Sequence, residues 1–196
     1  MKRRTFIKKN AIVTLAPFIT TGLLARNKKI KSLSEKPFQL NYAPHFGMFE
    51  SMAGKDLMDQ VQFMHDQGFR SLEDNGMKNR SKKTQNDIAK KMEKLGMSMG
   101  VFVGHKIYWK EPNLTSGDRS LQDEFVENIR DSVEVAKRVN ATWMTIVPGH
   151  IDLKKEMDYQ TANVIEALKR AAEILEKHNL VMVLEPLNWW SNHAGQ

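Results

Sequence analysis

The chain has 196 residues, 41% of them hydrophobic and 27% charged, and no cysteine. That composition excludes a disordered or collagen-like chain, and the missing cysteines exclude disulfides, thiolate metal sites and cysteine nucleophiles. The formal charge of +7 is concentrated at the start: residues 1–36 hold ten Lys/Arg and one acid, Glu35, while residues 37–196 hold twenty basic and twenty-two acidic residues. The body is therefore weakly acidic, which argues against a nucleic-acid partner.

Residues 1–25 have the layout of an export leader, with Lys2, Arg3, Arg4, Lys8 and Lys9 preceding an uncharged run from Ala11 to Ala25 that Pro17 interrupts. The run is short for a membrane span. Lys2-Arg3-Arg4-Thr5-Phe6-Ile7-Lys8 resembles the twin-arginine signal, which carries folded proteins across the membrane. A periplasmic location is expected, with an uncleaved signal acting as a membrane anchor as the alternative. Residues 26–36 read as a polar linker, residues 37–196 as the folded body, and no further span follows.

From Pro37 onward, short apolar runs alternate with amphipathic stretches. Five strands are predicted, over Phe38–Pro44, Phe69–Glu73, Ser98–Val103, Thr142–Val147 and Val181–Glu185. Between them lie four helical stripes: Leu57, Val61 and Met64; Ile88, Met92 and Leu95; Leu121, Phe125, Ile129, Val133 and Ala136; and Val164, Ala167, Leu168, Ala171, Ala172 and Leu175. Their i, i+3/i+4 spacing gives each helix one face to lay on a sheet. Thr84-x-x-Asp87 and Ser120-x-x-Asp123 resemble capping boxes. Gly68, Gly96, Asn140 and Asn179 each follow a helix and suit a left-handed closing residue, with a strand starting soon after. The repeated unit implies a parallel α/β fold, either closed as a barrel or left open. The absence of a glycine-rich phosphate loop after the first strand weakens a dinucleotide-binding sheet.

Ligands in such folds sit at the C-terminal strand ends. The predicted ends carry His45 and Phe46; Glu73, Asp74 and Asn75; His105, Lys106, Tyr108 and Trp109; Gly149 and His150; and Glu185 through His193. His65 and His178 fall on helices, and His178 at a helix C-terminus has a structural explanation. Glu185 is the sharpest signal. It ends the apolar run Val181–Leu184, and a carboxylate there needs a cation or donors: a metal, a proton-transfer role or a salt bridge. Trp189 and Trp190 form either a wall for a sugar ring or loop packing. Asp74 reads as a solvated loop residue.

Leu184-Glu185-Pro186-Leu187-Asn188 followed by Asn192-His193-Ala194-Gly195 resembles the E-P-(I/L)-N … (D/N)-H-x-G segment of hydroxypyruvate isomerase-like proteins, in the xylose isomerase-like TIM-barrel superfamily. Gly68-Phe69-Arg70-Ser71-Leu72-Glu73 is similar to that family's G-(F/Y)-x-x-(V/I)-E strand, and Val135–Ala141 to its A-x-x-L-G helix end. The resemblance implies an eight-stranded (βα) barrel, of which about five strands and four helices are expected here. It implies a divalent metal, Mg²⁺ or Mn²⁺, with Glu185 as a ligand and a member of the acid/base pair that moves a proton through an enediolate. The other ligands would come from later strands, so the chain is expected to be the N-terminal part of a barrel, either a fragment of a longer protein or a truncated product whose activity is impaired. The substrate would be a small sugar or hydroxy-keto acid. Its candidate contacts are His45, Glu73, His105, His150, Asn188, Trp189 and His193. A homo-oligomer stays open. A non-catalytic carbohydrate-binding module, stacking sugars on Tyr108, Trp109, Trp189 and Trp190, is the alternative. A DNA-repair endonuclease is disfavoured by the acidic body and the leader.

Overall fold

The computed structural model describes residues 36–188. The leader, nearly all of the linker, and Trp189, Trp190, Asn192 and His193 lie outside them. Five α-helices are present among the described residues: α1 (Glu50–Ala53), α2 (Leu57–Asp66), α3 (Lys82–Leu95), α4 (Arg119–Val139) and α5 (Met157–Leu175). None is long and apolar enough to cross a membrane. The four predicted stripes become α2 to α5. Val61 and Met64, Ile88 and Met92, Phe125, Ile129, Val133 and Ala136, and Ala167, Ala171 and Leu175 are all buried. The single turn α1 has no apolar repeat by which the sequence could announce it. Gly96, Asn140 and Asn179 adopt left-handed conformations at φ 64°, 53° and 54°, and Gly68 has φ 100°, as the closing positions require.

The helix starts differ from expectation. Ser81 caps α3, its Oγ accepting from the Thr84 amide, and Asp118 caps α4, accepting from the Ser120 amide. Asp87 and Asp123 instead pair with Lys83 and Arg170. An earlier side-chain acceptor in extended backbone satisfies the orphan amides first, so the downstream Thr84 and Ser120 fall inside the helix.

Four short strands run parallel: β1 (Ser71–Leu72), β2 (Ser98–Met99), β3 (Trp143–Ile146) and β4 (Val181–Leu184). β1 pairs with β2, and β3 pairs with β4 in the register Trp143↔Val181 to Ile146↔Leu184. The segment after β2 joins the two pairs. The Gly100 amide donates to the Leu72 carbonyl and Asp74 to Val101; then Thr145 donates to Phe102 and Gly104 to Thr145. One strand thus bonds first to its earlier neighbour and then to its later one. Such stagger accompanies strand tilt in a barrel, and it shortens every hydrogen-bonded ladder relative to the apolar run the sequence shows.

The predicted first strand, Phe38–Pro44, is a correction. It forms no ladder. It docks through Phe38 N–H to Gly68 O, through Glu73 N–H to Pro44 O, and through a parallel bridge between His45 and Glu73. Phe38, Leu40 and Tyr42 are exposed, and Tyr42 N–H turns back onto Leu40 O, so alternation here does not bury one face. Five parallel segments nevertheless lie side by side in chain order. A doubly wound sheet reverses that order; a barrel does not. The described residues are part of a (βα) barrel.

Gly104 stands where the central segment crosses β3. A Cβ there would lie 2.8 Å from Met144 Sδ and 3.3 Å from Ile146 Cδ1, both on fully buried side chains. Gly104→Ala is expected to destabilise the fold by about 1–3 kcal/mol in denaturant unfolding, the usual cost of overpacking.

Candidate active site

The loops after β1, the central segment, β3 and β4 line a cleft of about 540 Å³. Each wall comes from a different loop: Asn75, Lys78 and Asn79 after β1; His105, Lys106 and Trp109 after the central segment; Val147 after β3; Glu185 and Leu187 after β4. Parallel strands carry all these loops to the same edge, which is why residues so distant in sequence meet.

Glu185 continues the β3–β4 ladder, its amide donating to Ile146 O at 3.0 Å. The backbone bond fixes the main chain of Glu185 beside β3, and the residue lines the cleft. The residue is exposed, and among the described residues no Lys or Arg forms an ion pair with it. The salt-bridge explanation open from sequence therefore has no partner here.

His105 is 5% exposed. The Val147 amide donates to its Nε2 at 3.1 Å, so the neutral ring carries its proton on Nδ1. Phe125 packs edge-on against the ring, with centroids 5.2 Å apart. Burial pushes its pKa down to about 4; the Lys106 backbone opposes that shift and the Lys78 charge adds to it.

Lys78 is a cleft residue that sequence reasoning missed. It sits in a 3₁₀ turn, Met77–Asn79, and is half-buried. Its Nζ donates to Asn128 O at 2.6 Å and to Ser132 Oγ at 3.0 Å, and burial holds its pKa below the ordinary lysine value. Lys106 is already engaged by Glu124 and Tyr108, and Tyr108 donates to Glu124 at 2.6 Å. That bond commits the hydroxyl of a ring the sequence offers for stacking on sugars.

The other predicted contacts scatter. His45 and Glu73 line a separate hollow beside Tyr42, Phe49 and Phe69. His150 does not line the cleft; its Nδ1 lies 2.8 Å from Ile151 O, and its own carbonyl accepts from Thr115 Oγ1. Asn188 is exposed at the end of the described chain. Trp189 and His193 lie beyond it. Asp74 is not solvated. It is 4% exposed and binds Arg80 through both oxygens, at 2.5 and 3.2 Å, while Arg80 covers the Phe46 ring. The pair pins the loops after Pro44 and β1 to each other.

The model of the xylose isomerase-like TIM barrel family matches residues 61–196. The chain belongs to that family. No curated protein sequence matches it. Among solved structures, an AP endonuclease of family 2 from Brucella melitensis superposes with a TM-score of 0.62 at 17% identity, over 76% of this chain and 55% of that one. A D-psicose 3-epimerase from Clostridium cellulolyticum H10, solved with D-tagatose, gives 0.60 at 16% identity, over 79% and 55%. A 3-keto-D-glucoside 4-epimerase from E. coli gives 0.60 at 13%, over 76% and 57%. The chain spans a little over half the length of these relatives. Similarity at this level shows the shared fold.

The depressed His105 pKa has a consequence for stability. The unfolded imidazole takes up a proton near pH 6.5, whereas the folded one does so only near 4. Stability should be constant above about pH 6.5 and fall between there and pH 4, by on the order of 3 kcal/mol. Unfolding curves across that range, beside the ¹⁵N titration of the His105 ring, check it.

Proposed function

We propose that the protein is an isomerase or epimerase of small sugars or hydroxy-keto acids, with Glu185 as the proton-transfer carboxylate. The observation that carries this reading is Glu185 at a barrel strand end, lining a cleft it shares with a buried neutral imidazole and a half-buried ammonium. A hydroxypyruvate-type substrate follows from the Glu185–Asn188 and Asn192–Gly195 motifs.

Glu185 takes the proton from a carbon bearing a hydroxyl group beside the substrate carbonyl. The electrons left behind form an enediolate; in isomerisation the carbon-bound proton is delivered to the neighbouring carbon while the hydroxyl proton passes to the former carbonyl oxygen, and in epimerisation a second acid on the opposite face returns a proton to the same carbon, so the atoms balance without an added reactant. N–H donors in the cleft stabilise the oxygen that gains charge. Trp109 supplies an apolar surface for the carbon chain.

A divalent metal belongs to this reading only as a proposal. Among the described residues no group of three or more His, Asp or Glu side chains could hold one, and the Nε2 of His105 is taken by Val147. Glu185 would supply one ligand. One carboxylate alone does not make such a site, and the chemistry above is written without it.

Incubating the protein in D₂O with hydroxypyruvate or D-fructose, with and without Mn²⁺, tests the reading. The expected result is exchange of the carbon-bound proton, seen by ¹H NMR, that falls by 10²–10⁴-fold in Glu185→Gln. Exchange untouched by that substitution, or none with either substrate, would contradict it.

A further inference from the structure

We propose that Lys78 and the Nδ1–H of His105 form a carboxylate-binding subsite in the cleft, so that the substrate is an acid carrying a carboxylate rather than a neutral sugar. The inference rests on the same cleft as the isomerase reading and narrows its substrate class.

The first observation is how Lys78 is held. A lysine on a turn at the top of a barrel normally extends into water. Here two acceptors on α4, Asn128 O and Ser132 Oγ, hold the ammonium at the wall of the cleft. An ammonium has three donors, and these contacts use two. Asp131 is close enough to act on its charge but forms no ion pair with it among the described residues.

The second observation is His105. Its Nδ1 is buried and makes no well-formed hydrogen bond among the described residues, although the adjoining Lys106 backbone acts on the ring and Nε2 is satisfied by Val147. A buried N–H left unpaired is costly unless a ligand completes it. The two donors are tied into one frame. Ser132 Oγ accepts from Lys78 and donates to Gly104 O at 2.5 Å, and Gly104 directly precedes His105.

The charge of the cleft agrees. Its described lining holds two lysines and one acid, Glu185, with Lys106 already paired to Glu124. The donors suit a carboxylate better than a phosphate: one ammonium N–H and one imidazole N–H match two oxygens. No arginine lines the cleft among the described residues, and phosphate sites ordinarily recruit arginine forks or a run of backbone amides.

The full chain, in EDTA so that no metal takes part, is titrated with glycolate, inorganic phosphate and glycerol. Binding is followed by calorimetry and by the ¹⁵N resonances of the His105 ring. Glycolate should bind and move the Nδ1 signal, glycerol should do neither, and Lys78→Met should weaken glycolate at least tenfold. A purely structural Lys78 would leave glycolate affinity unchanged in that variant, which would overturn the proposal. So would a His105 signal that ignores glycolate, or phosphate binding more tightly than glycolate at the same site. If Lys78→Met does not fold, the glycolate, phosphate and glycerol comparison on the unaltered protein decides. Because no turnover is measured, loss of proton exchange through Glu185 would remove the isomerase reading and leave this subsite standing, and the reverse holds equally.

Discussion

Everything at the cleft depends on the double pairing of the segment Ser98–Gly104. It donates to and accepts from β1 on one side and β3 on the other, and it is the join between two otherwise separate pairs of strands. Its last residue is Gly104, where a side chain would collide with Met144 and Ile146 in the core beneath. The chain therefore passes close over Met144 and delivers His105 directly into the buried layer. Val147 meets that imidazole because β3 lies beside the segment in register, and Glu185 meets the cleft because β4 continues the same order.

The burial of His105 and Lys78 has the same origin. Phe125, Asn128 and Ser132 all project from α4, the long helix that covers this part of the sheet. Phe125 packs the ring, Asn128 and Ser132 hold the ammonium, and the Ser132 hydroxyl ties α4 back to Gly104. The polar groups of the cleft are thus fixed by the helix–strand packing that builds the barrel. Rigid placement of this kind lets a small number of donors recognise a small ligand without losing ordering entropy on binding.

The sequence made the helices legible because each buries one stripe, and Gly96, Asn140 and Asn179 announce where the chain must turn left-handed. It made Glu185 legible because an acid ending an apolar run must have a reason to be there. Strand lengths were not legible: the stagger between neighbours is a property of the sheet, while the apolar runs only report burial. Asp74 looks like a loop residue until Arg80, six positions on, folds over it. His150 stands at the right place in the chain, but its loop turns the ring onto Ile151. Lys78 was invisible because its meaning comes from Asn128 and Ser132, far along the chain, and a lone lysine in a turn ordinarily signifies only a solvated surface.

The central claim is that the parallel segments form one frame holding the cleft, not two independent pairs. Native-state hydrogen exchange on the amides of Gly100, Gly104, Thr145, Val181 and Glu185 tests it most directly, because their bonds span both pairs and the join between them. All five are expected to exchange with the same opening free energy, equal to that of global unfolding. If Gly100 exchanged with one free energy and Val181 and Glu185 with another, clearly lower, the strand ends would not be held together and the cleft described here would not exist as a unit.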